Sequence, residues 1–339
     1  MKKIRFKYAS SVTDFYPAGG IAHLKEITPP SGTVLVTDEN VFQAHTRRFR
    51  GWNTIVLKPG ESFKVQATAD AMIEQLIEME ADRTTTLVGV GGGVITDLTG
   101  YVASIYLRGI RFGFIPTTLL GMVDASIGGK NGIDVGQHKN MVGLIRQPDF
   151  ILHDMLFLRS LPQAEWENGF AEVIKHACIR DASMFAELEK NTLKHYQRSQ
   201  KTVCELARRN ALLKARLVKR DEFEKGERRM LNFGHTLGHA LETQYELSHG
   251  QAVSIGMSAA CRISRLLTGF RDTARVTDLL ARYHLPVDAD FDRDKVFSLM
   301  KMDKKRERKE LHYILLERIG KAVIRPIPLD QVKQIIQEL

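Results

Sequence analysis

Between Arg228 and Glu242 the chain reads RRMLNFGHTLGHALE. Leu231, Leu237, Ala240 and Leu241 recur at helical spacing, so the stretch is expected to be a helix. His235 and His239 are then one turn apart and share a face. His249 follows in SHGQAV, just ahead of the next apolar helical run. Imidazoles at that spacing suit a divalent metal, zinc first. Two readings stand on these residues: His235 and His239 bind metal, or they are hydrogen-bonded histidines of a core. A zincin peptidase is excluded, because Thr236 stands where HExxH would carry its glutamate.

A second chemistry is spelled in GVGGGVITDLTG, residues 89–100. Gly91, Gly92 and Gly93 are expected to close a strand and open a helix from Val94 to about Leu107. Glycines there let a phosphate approach the backbone, and a helix N-terminus supplies amide donors, so a diphosphate is the natural guest. The pattern departs from GxGxxG, and no acidic residue follows at the ribose-binding distance. A plain tight turn is the alternative. Asp97 lies one turn into the helix. Upstream, LKPGESFK carries Glu61 and Lys64 beyond a strand end. Downstream, Pro116 is followed by the paired hydroxyls of Thr117 and Thr118. The glycine-rich loop MVDASIGGKNGIDVGQHKNMVG carries Asp124, Lys130, Lys139 and Asn140 and reads as an anion site, with Arg108 of YLRG a further candidate.

These residues need elements to hold them. TVLVTD, NTIVL, TTTLVGV and RFGFIP read as strands alternating with helices, of which VQATADAMIEQLIEME is one. Such alternation means a parallel sheet wrapped by helices, with ligands beyond the carboxyl ends of the strands. The sheet pattern stops near PDFILHD. From SLPQAEWENGFAEVIKHACIRD the chain turns helical, and Glu172 and Lys175 fall three residues apart on one side of that helix. Further helices are expected near 200–219, 227–246, 253–267 and 273–283. A hairpin in LHYILLERIGKAVIRP and a short helix close the chain. The run KMDKKRERKE reads as a solvated loop. The expected architecture is an α/β, Rossmann-like domain over residues 1–155 and a mostly α-helical domain over 156–339.

The 339 residues suffice for two domains, and 43% hydrophobic with 26% charged residues is ordinary globular composition. The formal charge of +9 comes with no nucleic-acid module, and its basic residues are scattered, so anionic small molecules are the expected partners. Cys178, Cys204 and Cys261 form no CxxC and read as small residues in a reducing compartment. MKKIRFKYASSV alternates like a strand and lacks the apolar core of a signal peptide. No run approaches the ~18 apolar residues of a membrane span. The expected location is the cytoplasm.

Taken together and in order, PGExxK, GGGVxxDLxG, YxRG, PTTLL, VDASIGGK, KNMVG, LPxxE, AEVIK, LNFGHTLGHALE, HGQAV and DKK resemble the 3-dehydroquinate synthases, a family of sugar-phosphate cyclases. The resemblance runs over nearly the whole chain. It implies a homodimer whose NAD-binding α/β domain and helical domain share an active site, with one divalent metal, Zn2+ or Co2+. Its metal ligands fall on Glu172, His235 and His249, which moves His239 to substrate or proton handling. NAD contacts fall on Glu61, Lys64, Gly92, Gly93, Asp97, Thr117, Thr118, Lys130 and Lys139, with Phe157 to Ser160 nearby. Substrate contacts fall on Arg108, Asp124, Asn140, Lys175, Lys214, Arg228, Asn232, His239 and one of Lys304 or Lys305. The implied reaction converts 3-deoxy-D-arabino-heptulosonate 7-phosphate to 3-dehydroquinate by transient oxidation, phosphate elimination, re-reduction and aldol closure. Gln251, Asn131 and Ser160 depart from the family's usual glutamate and threonines. Two related activities compete: a metal-dependent dehydrogenase of the glycerol dehydrogenase type, and a sister cyclase making 2-deoxy-scyllo-inosose or an epi-valiolone. A non-enzymatic binding module is the third alternative.

Overall fold

The structure is a computed structural model, and it describes residues 2–9, 11–136, 138–303 and 310–337. Lys304 and Lys305 lie outside the described residues. The chain divides into two compact units, Met1–Trp166 with Ser199–Phe223, and Glu167–Arg198 with Glu224–Leu339.

The first unit is built on a seven-stranded sheet of order β1-β2-β9-β6-β5-β3-β4. Its strands are β1 (Ile4–Lys7), β2 (Val12–Tyr16), β3 (Thr33–Asp38), β4 (Asn53–Leu57), β5 (Thr86–Gly91), β6 (Arg111–Pro116) and β9 (Phe150–Leu152). Only β1 and β2 pair antiparallel; the other described pairings are parallel. The central strands are buried on both faces, which is why TVLV and TLVGVG are runs of apolar and small residues without alternation. Helices α1 (Glu39–His45), α2 (Gln66–Glu78), α3 (Gly93–Ile105) and α7 (Gln200–Arg220) complete this unit. One apolar cluster joins Val34, Val36, Leu87 and Phe112 to Met72 and Leu76 of α2 and Leu98 and Val102 of α3.

Beside this sheet, β7 (Lys130–Val135) and β8 (His138–Ile145) form an antiparallel ribbon. The sequence suggested a loop here. Gly132 and Gly143 face each other across the ribbon, and a Cβ on Gly143 would lie 2.2 Å from the Asn131 carbonyl oxygen. The glycines that looked like loop punctuation are there for close strand approach.

The second unit holds α5 (Ala182–Lys190), α6 (Leu193–Arg198), α8 (His235–Gln244), α9 (His249–Leu267), α10 (Thr273–Arg282), α11 (Arg293–Asp303) and α12 (Leu329–Gln337). It also holds the expected hairpin, β10 (Glu310–Arg318) with β11 (Lys321–Pro328). Most of α4 (Gln163–Arg180), including Glu172 and Lys175, belongs to this unit. The units are therefore not two contiguous halves meeting at residue 155. Helix α7, with Leu206 and Val218 buried on its apolar face, joins the first unit.

Two helix boundaries differ from expectation for local reasons. The helix expected over 227–246 breaks at Gly234, whose φ of +80° is the left-handed conformation glycine favours. A Cβ on Gly256 of α9 would sit 1.9 Å from the Gly234 carbonyl oxygen, so the close crossing of α8 and α9 requires both glycines. A short 3-10 turn, Glu227–Asn232, precedes the break. The next helix starts at His249 rather than Val253. Ser248 caps it, and Gln251 Oε1 accepts a hydrogen bond from the Ser248 amide, which completes a capping box.

His153, just past β9, is fully buried against the edge of Phe15, with ring centroids 4.8 Å apart. Neither ring nitrogen has a hydrogen-bond partner among the described residues. Burial pushes its pKa down to about 3. The folded protein thus refuses a proton that the unfolded chain takes up near pH 6.5. Between those values the unfolded state binds more protons, so stability must fall as pH falls. Urea unfolding of wild type should lose about 2 kcal/mol more than His153→Leu between pH 7 and pH 5. Equal losses in both proteins would show that His153 is not held neutral.

Candidate active site

In the first unit the glycine-rich turn lies where β5 meets α3. Gly92 is the N-cap of α3 and supplies no side-chain hydrogen bond, so amides of the first helical turn remain for a ligand. A Cβ on Gly91 would strike Ile95 at 2.5 Å, and one on Gly92 would meet Thr118 at 3.1 Å. Gly91 is thus required by strand–helix packing, and Gly92 keeps the turn tight beside Thr118. Thr117 donates its amide to the Gly91 carbonyl at 2.9 Å. Its buried hydroxyl has no partner among the described residues, and the Thr118 hydroxyl accepts from the Gly121 amide. An uncapped helix start beside an orphaned hydroxyl fits a dinucleotide diphosphate.

Lys64 is buried next to this turn. Its ammonium lies 2.6 Å from Asp97, 3.7 Å from Glu61, and donates to Asn140 Oδ1 at 2.6 Å. Burial opposes the lysine charge, but Asp97, Glu61 and Asp134 outweigh that and raise its pKa. Burial likewise pushes the Asp97 carboxyl up to about 6 against the pull of Lys64. Asn140 has a left-handed φ of +55° and donates its amide to Asp134. Asp124 sits in a π-helical turn, Gly121–Ala125, and pairs with the buried Lys214 at 2.9 Å. Lys214 also donates to the Asp124 carbonyl at 2.8 Å. Lys130 and Lys139 are exposed on the ribbon. Arg108 is exposed too, and it and Leu107 both carry positive φ, a strained pair. Phe157 is buried between the Arg48 guanidinium and the His45 ring, and the Ser160 hydroxyl meets His45 Nε2 at 2.7 Å.

In the second unit, Glu172 of α4 is fully buried. Its Oε1 lies 3.5 Å from His235 Nε2 and 3.2 Å from His249 Nε2. One ligand atom from each residue falls within 4.8 Å of the other two, the spacing of a metal-binding triad. Lys175, one turn along α4, forms an ion pair with the other oxygen of Glu172. Burial, and then Lys175, hold the His235 pKa well below its usual value. Burial pulls on His249 as well, but Glu172 and Glu242 outweigh it and raise that imidazole to about 10. The donor set, one carboxylate and two imidazoles, suits a divalent cation, which would take the place of any proton on His249. One carboxylate and two imidazoles leave a position open, as catalytic zinc sites do. His239 is exposed and meets His235 edge-on, so it stands outside the triad. Arg228 is buried, and Asn232 donates to Glu224 at 2.6 Å.

Comparison with known proteins gives the family. Residues 54–168 match the model for the 3-dehydroquinate synthase N-terminal region, and residues 169–306 match the C-terminal one. A 3-dehydroquinate synthase of Campylobacter curvus is 38% identical over 331 residues, covering 94% of each chain. The chain belongs to the 3-dehydroquinate synthase family. Among solved structures, this family member is similar to a 2-epi-5-epi-valiolone synthase from Streptomyces hygroscopicus with NAD+ and Zn2+ bound. That match has a TM-score of 0.87 and 25% identity and covers 100% of this chain and 97% of the other. A 2-deoxy-scyllo-inosose synthase complexed with carbaglucose-6-phosphate, NAD+ and Co2+ shares the fold. There the TM-score is 0.86, with 24% identity over 99% and 100% of the two chains.

Within this 3-dehydroquinate synthase family member, three polar residues near the site escaped the sequence reading. Glu224 holds the Asn232 amide, and nothing in EFEKGE marks it. Glu242 lies 3.5 Å from His249 Nδ1. It is seven residues after His235, a same-face spacing on α8 that did carry a signal. Asn168 precedes Glu172 by one helical turn and accepts from the Ser248 hydroxyl at 2.6 Å and the Gly250 amide at 3.1 Å. It ties α4 to the start of α9, and Gly250 leaves the room, since a Cβ there would lie 2.6 Å from Asn168 Cα.

Proposed function

We propose that this chain converts 3-deoxy-D-arabino-heptulosonate 7-phosphate to 3-dehydroquinate and phosphate, as a cytoplasmic homodimer dependent on NAD and one divalent metal. The observation that carries the reading is the triad of Glu172, His235 and His249 beside Lys175, in a chain 38% identical to a named synthase. The cofactors come from the related cyclases, which hold NAD+ with Zn2+ or Co2+. When bound, NAD supplies a hydride acceptor and donor, and zinc polarises a substrate hydroxyl.

The residues then divide the work. Gly91, Gly92, Gly93, Thr117 and Thr118 receive the dinucleotide diphosphate. Lys64 is kept charged by Asp97 and Glu61 and holds Asn140 in place. Glu61, Lys130, Lys139, Phe157 and Ser160 complete the cofactor set in this proposal. Glu172, His235 and His249 hold the metal. Lys175, Lys214, Arg228 and Arg108 supply positive charge for a substrate that carries a carboxylate and a phosphate. Asp124 orients Lys214, and Glu224 orients Asn232. His239 is exposed one turn beyond His235, where an imidazole can pass a proton to or from the substrate. The cofactor groups are assigned to residues 1–155 and the metal groups to residues 156–339.

The test supplies purified protein with the heptulosonate phosphate, NAD and zinc, and measures inorganic phosphate and dehydroquinate together. Equal amounts of both are expected. Turnover of another sugar phosphate in its place would transfer the chain to a sister cyclase.

A further inference from the structure

Both histidines of the triad turn Nε2 toward Glu172, so what fixes each ring lies behind it, at Nδ1. His235 Nδ1 faces the Phe233 carbonyl oxygen at 3.1 Å. A carbonyl only accepts, so this nitrogen carries the hydrogen and Nε2 keeps its lone pair. Behind His249 the partner is an anion: Nδ1 lies 3.5 Å from Glu242 Oε2. We propose that Glu242 is a positioning residue for the metal ligand His249, its carboxylate taking the Nδ1 hydrogen and aiming Nε2 at the metal. The inference rests on the metal reading of the triad.

Three observations support it. The Glu242 side chain is only 11% exposed, so its charge is little screened where it meets the ring. Glu242 also shares α8 with His235, so one helix delivers a ligand and the support of another.

Second, the backbone at His249 is fixed without Glu242. Ser248 and Gln251 form the capping box of α9, and Asn168 accepts from Ser248 and Gly250. What is left to set is the rotation of the ring and the placing of its hydrogen, which a carboxylate at Nδ1 does.

Third, a divalent cation beside the buried Lys175 would bring three positive charges together, against one from Glu172. Glu242 adds a second negative charge, which the neutral Phe233 carbonyl behind His235 cannot supply. The two imidazoles are thus supported unequally, and His249 is the more strongly donating ligand.

Zinc affinity, measured at one pH by competition with a chromophoric chelator, tests this in wild type, Glu242→Gln and Glu242→Ala. Glutamine keeps the size of the side chain and removes its charge. Both variants should bind zinc about 10- to 100-fold more weakly. Saturated with cobalt, Glu242→Gln should show visible absorption bands displaced from those of wild type, a change that simple loosening of a helix would not give. Affinities within twofold of wild type would overturn the role. So would weakening in Glu242→Ala alone, since that would be loss of packing. Weaker binding with an unaltered cobalt spectrum would overturn it as well. If wild type itself binds no zinc, the metal reading fails and takes this inference with it.

Discussion

His235→Ala should lose the metal and with it turnover, whereas His239→Ala should keep the metal and lose only turnover. The two residues are one helical turn apart and their rings touch, with centroids 5.0 Å apart, so sequence spacing alone treats them as a pair. Their surroundings differ. His235 is buried with Nε2 toward Glu172, and His239 is exposed and outside the triad. Removing an outer hydrogen-bond partner of a ligand costs about 10- to 100-fold in metal affinity, so removing a ligand of a three-ligand site should cost more. Metal content after gel filtration separates the two variants, and added zinc should restore neither His235→Ala nor His239→Ala to full rate. Glu172→Ala is the weaker experiment. It would strip the buried Lys175 of its carboxylate, and breaking a buried ion pair costs about 3–5 kcal/mol of stability, so loss of metal and loss of fold would be mixed. Equal metal loss in His235→Ala and His239→Ala would show the ligand assignment to be wrong.

The parts of this site that could be read from sequence were those set by local chemistry. The glycine turn after β5 follows from strand, glycines and helix in a row. The Glu172–Lys175 pair follows from helical spacing. The proposed choice of His249 over His239 as ligand follows from the family resemblance and not from spacing. The placement of the two rings depends on the left-handed turn at Gly234 and on the crossing of α8 with α9, both long-range packing facts that no window of residues contains. The same limit explains the ribbon β7–β8. Its glycines look like turn residues until the partner strand is seen, and then their missing Cβ atoms are what lets the backbones approach. Asn168, Glu224 and Glu242 were missed for a related reason. Each acts by holding another polar group, and a supporting role is defined by its partner rather than by residue type.

NAD should be required for phosphate release and yet not be consumed. A dehydrogenase on the same fold also needs the turn at Gly91, Gly92 and Gly93 and also places a metal near the oxidised carbon, so neither feature separates the two activities. What separates them is retention. A dehydrogenase lets its ketone go, and reduced cofactor accumulates in step with product. A cyclase must keep the ketone while phosphate leaves, and then hand the hydride back. Interactions remote from the reacting carbon can hold an intermediate through several steps. The proposed substrate set has more such groups than a simple alcohol oxidation needs. Lys214 is fixed by Asp124, Asn232 by Glu224, and Lys175 and Arg228 are buried rather than waving in solvent. With a trace of NAD and an excess of heptulosonate phosphate, phosphate released should far exceed the NAD supplied, with no net rise in NADH absorbance. Lys214→Ala should shift this balance, since a loosened intermediate can depart after the first transfer and leave NADH behind. NADH accumulating in proportion to turnover in wild type, with no phosphate released, would overturn the cyclase reading and assign the chain a dehydrogenase activity.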